Sequence, residues 1–595
     1  MLEEKHRQDG PFHLILIKPS HYDDDGYVIQ WARSAIPSNT LATLYALAMD
    51  SRRRNLLGVH TAIDIDAHDE TNTRINPARI IRRIKGGGGR GLVCFVGVQS
   101  NQFPHTLDLA RPLRAAGIPV CIGGFHVSGC LSMLPEIPYD IKEALDLGFS
   151  IFAGEAEGRF PEGLQDAAAG SLKQIHNYFD DITNTLGAPS QILPPSTINS
   201  TRGVLTSFDS GRGCPFQCSF CTIINVQGRK SRYRSADDIE NIIRLNAANG
   251  INSYFITDDN FARNKNWESI FDRLIHLREE EGLRFKFVMQ VDTLCHQISG
   301  FIDKAARAGC TRVFLGLESI NPENLVTVKK RQNRITEYRT MLQAWKNHRV
   351  ITYCGYILGF PADTPESIRR DIAIIQRELP VDLLEFFCLT PLPGSEDHKT
   401  LMEKQVPMDP DMNKYDLEHV TTAHSKMTRR EWAGIYDDVW EVFYTPEHVE
   451  TILKRAAAKR ISIGKTLFLI IWFYGCKTIE GIHPLEGGYL RRKYRHDRRP
   501  GLPLESAVVF YPRYVFELVS KHIRFLGLIL RYGRIRSRLK RDPAAGDYTD
   551  TALAPVTEEQ EESLEIFTAT QAARKTLTNK RDRESLRQSP EHSGI

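Results

Sequence analysis

Two series of short apolar segments, each closing on glycine or polar residues and each followed by a helical pattern, constrain this chain more than any other feature. In the first series HLILIK (13–18), LVCFVGV (92–98), VCIGG (120–124) and SIFAG (150–154) alternate with helical stretches such as 41–49 and 107–116. Uninterrupted apolar runs separated by helices predict a parallel sheet covered on both faces, since a half-exposed strand would alternate polar and apolar residues. In the second series YFIT (254–257), FKFVM (285–289), RVFLG (312–316), 351–358 and 383–389 repeat the strand–helix pattern and predict a full or partial parallel (β/α) barrel. The fold class is therefore α/β: a doubly wound parallel sheet, then a barrel, then a helical C-terminal region. The boundaries read as 1–175 for the sheet domain, 176–205 for a linker rich in Pro, Asn and Ser, and 206–400 for the barrel. A helical domain with a basic end follows at 401–541, and 542–595 is expected to be a disordered acidic tail. In both sheet types ligands bind beyond the carboxyl ends of the strands.

The sequence SGRGCPFQCSFC places Cys214, Cys218 and Cys221 within eight residues of a loop that Gly211, Gly213 and Pro215 keep from being helical. Thiolates this close can wrap one soft metal centre, zinc or iron–sulfur. Structural zinc wants four protein ligands, and no second pair follows at the usual distance, the next cysteine being Cys295. The 11 cysteines are odd in number and lack disulfide spacing, and the polar start has no signal-peptide pattern, so a reducing, cytoplasmic setting is expected. Cys94, Cys121 and Cys130 read as small core residues.

With Phe220 before its last cysteine, this CxxxCxxC motif resembles the radical S-adenosylmethionine signature. The resemblance implies a [4Fe–4S] cluster on Cys214, Cys218 and Cys221 whose open iron chelates S-adenosylmethionine, and it implies an enzyme. Later segments match in order. Asp258, Asp259 and Asn260 end a strand where the family meets the cosubstrate's amino group. Glu318 and Ser319 stand where it contacts ribose or carboxylate, and Gly355 and Gly359 where it flanks adenine. Gln290 ends another strand and faces the same mouth. Arg229, Lys230, Arg232 and Arg234 read as a solvated charged loop.

Residues 12–160 resemble the Rossmann-like cobalamin-binding domain that often precedes this barrel. The resemblance rests on the Lys18-Pro19 strand end, 34–39, Ser100, Gly123, Gly124, His126, Gly154 and Glu155. It implies cobalamin at those residues, with His126 near the nucleotide tail. The DxHxxG motif that supplies a lower cobalt ligand is absent; His21 falls nearby and reads as a turn residue. The implied activity is methyl transfer to an unactivated carbon of a small-molecule or lipid substrate, with an electron donor such as flavodoxin or ferredoxin. A radical oxidative cyclase or rearrangement enzyme of the same family, and a non-catalytic cobalamin-binding sensor, are the alternatives. A tRNA methylthiotransferase does not fit, for want of its additional cysteines and C-terminal β-rich domain.

The formal charge of +4 hides three parts: 491–541 carries 15 Lys and Arg against three acids, 542–595 six against 11, and the rest is weakly acidic. Nucleic acid is not an expected partner on that count. Within 511–541 an apolar stretch (525–530) runs into a basic one (531–540), which reads equally as an interfacial helix at the inner membrane face or as a helix packed on the body.

Overall fold

A computed structural model describes residues 10–179, 185–201, 205–555, 557 and 563–588. In chain order the strands are β1 (Phe12–Lys18), β2 (Gln30–Ser34), β3 (Ile63–Asp69), β4 (Gly91–Phe95), β5 (Val120–Gly123), β6 (Ser150–Ala153) and β7 (Ile175–Asn177). There follow β8 (Leu205–Phe208), β9 (Gly211–Arg212), β10 (Arg232–Tyr233), β11 (Ser253–Ile256), β12 (Lys286–Val291), β13 (Cys310–Glu318), β14 (Ile351–Leu358), β15 (Leu383–Cys388) and β16 (Gly488–Arg492).

The N-terminal sheet has the order β3-β1-β4-β5-β6-β7 and every pair in it is parallel. The chain reverses its direction of growth between β1 and β4, so a crevice opens beyond those two carboxyl ends. Cys94, Cys121 and Cys130 are buried in this core, as their apolar surroundings predict. The second sheet runs β8-β11-β12-β13-β14-β15, also all parallel, so the barrel is partial. Its outward residues, among them Tyr254, Met289, Leu315, Tyr356 and Phe386, form one core with the surrounding helices.

Three features depart from expectation. First, the C-terminal region returns to the N-terminal domain. Strand β16 pairs antiparallel with β2, Arg491 reaches Asp23 at 2.8 Å, and Arg74 holds Asp497 through two bonds of 2.6 and 2.7 Å. Second, the linker is not free chain, because β7 joins the N-terminal sheet and β8 is the first barrel strand. Third, the tail is ordered in its described parts. Residues 543–547, 565–568 and 571–588 are helical, Ala552, Ile566 and Phe567 are buried, and Glu378 accepts from the Glu565 and Ile566 amides. Composition misleads there because a few apolar side chains suffice when a finished surface receives them. The basic helix runs from Ala507 to Arg541, and among the described residues no helix is long and apolar enough to cross a membrane.

Candidate active site

The cysteine loop leaves the barrel between β9 and β10, which pair antiparallel and close its base. Gly213 sits at φ +87°, and a Cβ there would lie 2.4 Å from the Lys230 carbonyl, so only glycine makes this turn. Backbone bonds set the shape of the loop: Cys214 N–H donates to Gly228 O (3.2 Å), Ser219 N–H to Val328 O (3.1 Å) and Cys221 N–H to Cys218 O (3.1 Å). Cys218 is buried and its Sγ accepts from Gln332 Nε2 at 3.4 Å, while Cys214 and Cys221 are half-buried. Burial pushes the Cys221 thiol up to about 12 and raises Cys214 as well. Among the described residues no three His, Cys, Asp or Glu side chains close around a single ion. Three thiols on one backbone-fixed loop are instead a ligand set of the kind that holds an iron–sulfur cluster.

The carboxylates after β11 divide the work. Asp258 is buried and accepts from the Ser210 amide (2.6 Å) and hydroxyl (2.7 Å), so it braces the base of the cysteine loop. Asn260 is tied to Asp292 at 2.9 Å, and Gln290 Nε2 donates to Asp258 O at 3.4 Å. Asp259 is half-buried, and its carboxylate accepts from its own backbone amide. Desolvation first, then neighbouring Asp258, raises it to about 7. Burial likewise lifts Asp258 to about 6.

At the end of β13 Glu318 takes φ +62°, a strained conformation for a non-glycine residue, where the register with β14 slips. Asn333 holds the strand end through Gly316 O (2.7 Å) and Leu317 O (2.8 Å), and Glu318 Oε1 accepts from Lys330 Nζ at 2.6 Å. That ammonium stands 5.6 Å from the Phe220 ring centroid, and the Glu318 carboxylate, with Cys218 adding to it, raises its pKa. Ser319 is fully buried. Gly359 (φ +103°) turns over Trp432, whose ring a Cβ would strike at 1.8 Å, and Gly355 lies under the rings of Phe314 and Phe387.

At the N-terminal mouth the sequence-marked residues come together but are mostly engaged with one another. His126 is buried, with Nδ1 3.1 Å from Ser100 Oγ and Nε2 2.8 Å from Asp140. Ser128 Oγ accepts from the Gly154 amide, and Gly124, at φ +151°, packs against the Val98 backbone that Gly123 O also meets. Glu155 and Glu157 face the barrel. Arg212 bonds Glu157 at 2.5 and 3.0 Å and lies 3.2 Å from Glu155, which also takes Arg232 at 2.5 Å. Arg234 is fully buried against Asp209 O and Ala188 O. Arg232 and Arg234 are therefore not the solvated loop expected of them, because the two mouths face each other and bury the segment. The clasp ties the cysteine loop to the N-terminal sheet.

His21 is also buried, its Nε2 2.7 Å from Glu486 and its Nδ1 3.1 Å from Tyr22 O. Glu486 belongs to the turn Pro484–Glu486, which crosses the crevice beyond β1 and β4 and also accepts from Asn101 Nδ2 at 3.2 Å. Under it remains a cavity of about 70 Å³ lined by Lys18, Ser20, Gln102 and 485–487. Sequence reasoning missed Arg212, Lys330, Trp432 and Glu486. Arg212 was inside the cysteine motif and Lys330 inside a charge run; Trp432 and Glu486 reach the site from distant segments and carried no local signal.

The Radical SAM superfamily profile matches residues 209–375. Bacteriochlorophyllide d C-12(1)-methyltransferase of Chlorobaculum tepidum is 27% identical over 320 residues, 51% of this chain and 64% of that protein. Hopanoid C-2 methylase of Rhodopseudomonas palustris is 24% identical over 306 residues, 50% of this chain and 56% of that protein. The chain thus spans less than two thirds of either relative's length. In fold it resembles the radical S-adenosylmethionine methyltransferase TsrM from Kitasatospora setae, solved with cobalamin and a [4Fe–4S] cluster, at 14% identity and a TM-score of 0.54. The match covers 77% of this chain and 97% of that one. The stretch matched by the Radical SAM superfamily profile lies within the partial barrel and includes its three-cysteine loop at the strand ends.

Proposed function

We propose that the chain is a cobalamin-dependent radical S-adenosylmethionine methyltransferase acting on an unactivated carbon of a small-molecule or lipid substrate. The observation that carries this reading is a backbone-fixed three-thiol loop beside the half-buried carboxylate of Asp259. Cys214, Cys218 and Cys221 would hold a [4Fe–4S] cluster that, with S-adenosylmethionine, would supply one-electron radical chemistry, and bound cobalamin would supply methyl-carrying chemistry.

Cys214, Cys218 and Cys221 hold the cluster and must lose their protons to do so, which burial opposes and Lys330 favours. Asp259 neutralises the cationic cosubstrate. Glu318 and Ser319, held by Lys330, Asn333 and Tyr338, offer polar contacts to its ribose or carboxylate. Phe220, Gly355 and Gly359 flank its flat base, with Asp258, Asn260 and Gln290 positioning the strand ends. Phe314, Tyr353 and Phe387 line the barrel interior and exclude water from the radical path.

At the N-terminal mouth the fit to cobalamin is partial. Among the described residues the buried Asn101 Oδ1 has no hydrogen-bond partner, and Ser100, Gly123, Gly124, His126, Gly154 and Glu155 surround the strand ends. The cavity of about 70 Å³ under the turn Pro484–Glu486 is too small for a corrinoid and is lined by other residues than these. A flavodoxin or ferredoxin as electron donor, a cytoplasmic setting and a peripheral membrane contact through 511–541 belong to the same proposal, as do the unit boundaries at 175, 205, 400 and 541.

Anaerobic reconstitution with iron and sulfide tests it. Wild type should show cluster absorbance and form 5′-deoxyadenosine with dithionite; Cys218→Ala should lose both while unfolding at the same denaturant concentration. Full turnover in Cys218→Ala sinks the assignment.

A further inference from the structure

The helix Ala507–Arg541 is apolar on two opposite faces, and only one of them is used. Phe510, Leu528, Tyr532, Ile535 and Leu539 are buried against the body, and Tyr532 donates to Tyr444 O at 2.8 Å. On the other side Val508, Val515, Val519, Ile523, Leu526 and Leu530 recur at spacings of three, four and seven residues, which on a helix is one stripe. Every one of these is more than half exposed, with Val508 at 83% and Ile523 at 64%. From Val508 to Leu530 the stripe is about 33 Å long at the rise of an α-helix. An outward apolar surface of this extent marks something that covers it.

The charge of the same helix narrows what that is. It carries nine Lys and Arg against the single acid Glu517. Earlier cations of the basic stretch are consumed within the fold: Arg491 by Asp23, Lys493 by Glu517 and Arg499 by Asp411. Arg531, Arg534, Arg536, Lys540 and Arg541 have no carboxylate within ion-pair reach among the described residues, and all five are exposed. Two copies paired through this face would bring like charge against like charge. A bilayer offers both things the helix lacks, a hydrocarbon boundary for the stripe and anionic headgroups for the terminal cations.

We propose that this helix lies flat on an anionic membrane surface, its outward stripe entering the acyl boundary and its last three turns holding headgroups. The segment leading into it, the turn Pro484–Glu486 and β16, is the one that crosses the N-terminal mouth, so docking sets that mouth beside the bilayer. A bilayer-resident apolar substrate is then the class this arrangement takes, a step that rests on the methyltransferase reading above.

Co-flotation of the full chain with phosphatidylcholine vesicles, with and without phosphatidylglycerol, tests the docking. Binding should require phosphatidylglycerol and weaken with salt. The triple variant Val519→Asp, Ile523→Asp, Leu526→Asp should bind about a hundredfold more weakly with an unchanged unfolding midpoint, since those side chains are more than half exposed. Replacing Arg531, Arg534, Arg536 and Arg541 by Gln should remove the dependence on anionic lipid. No binding to either vesicle overturns the proposal. So does a lipid-independent dimer, seen by light scattering, that the triple variant dissociates. Formation of 5′-deoxyadenosine by soluble protein tests the catalytic reading alone, so the two can fail separately.

Discussion

The two parallel sheets turn their carboxyl ends toward one another, yet they treat polar groups in opposite ways. At the N-terminal mouth most of the charge is paired inside the fold: His21 with Glu486, His126 with Asp140, Glu155 and Glu157 with arginines from the barrel. In the barrel two carboxyls are raised well above the usual carboxylate range, Asp259 at the mouth and Glu385 within, where His483 Nδ1 lies 3.8 Å away. Glu385 is fully buried on β15, on the face opposite Leu384 and Phe386, and neither of its oxygens has a hydrogen bond. The pairing at the N-terminal mouth makes a joint between domains, while the barrel keeps two carboxyls whose burial is only partly offset. The difference teaches that nearness to a strand end does not by itself make a residue a binding group.

That contrast can be broken experimentally. The largest effect is expected at the clasp. Arg212→Ala leaves Glu157 and Glu155 buried without one of their cations and should cost about 3–5 kcal/mol in denaturant unfolding. If the loss is under about 1 kcal/mol, the joint does not depend on that pair.

Next comes Glu385, where burial raises the carboxyl to about 8 from an ordinary 4.5. The unfolded chain gives up this proton near pH 4.5 while the native state keeps it to about 8, so the native state binds more protons across that window. Stability should therefore fall as pH rises through it, by up to about 1.4 kcal/mol per unit from this group. Glu385→Gln should flatten that decline and be more stable than wild type at pH 8. An unchanged pH profile would mean that the carboxylate finds a partner in solution.

The smallest effect is expected for His21→Ala. Burial of the ring lowers His21, but the Glu486 carboxylate, with Asp416 adding to it, raises it on balance, and the pair holds Glu486 down to about 2. The histidine's contribution is present below its ordinary 6.5 and fades as pH rises through its raised value. The glutamate's is present above 4.5 and fades as pH falls toward 2. At pH 6 the variant should lose about 1 kcal/mol, since Glu486 is partly open to water.

Much of this site was readable before any coordinates. Cys214, Cys218 and Cys221 announce themselves because a soft centre needs several thiolates on a short, glycine-loosened loop. The strand ends at Ser100, Gly123, Asp258 and Glu318 follow from apolar runs that stop on polar residues. The roles within those ends were not readable. Asp258 and Asp259 are neighbours of one type, and only the fold makes one a brace for Ser210 and leaves the other half-buried. The basic stretch read as one block, yet the pairing of β16 with β2 consumes its first half and leaves its second half on the surface.

The sequence by itself determined the two parallel sheets and the three-thiol loop, because hydrophobic period and ligand spacing are local properties that few arrangements can satisfy. The tertiary structure decided which charges are spent and which are kept. Arg212 meets Glu157 across 55 residues and His21 meets Glu486 across 465. Burial energy and charge pairing depend on what lies opposite, and what lies opposite is fixed only when distant segments have packed.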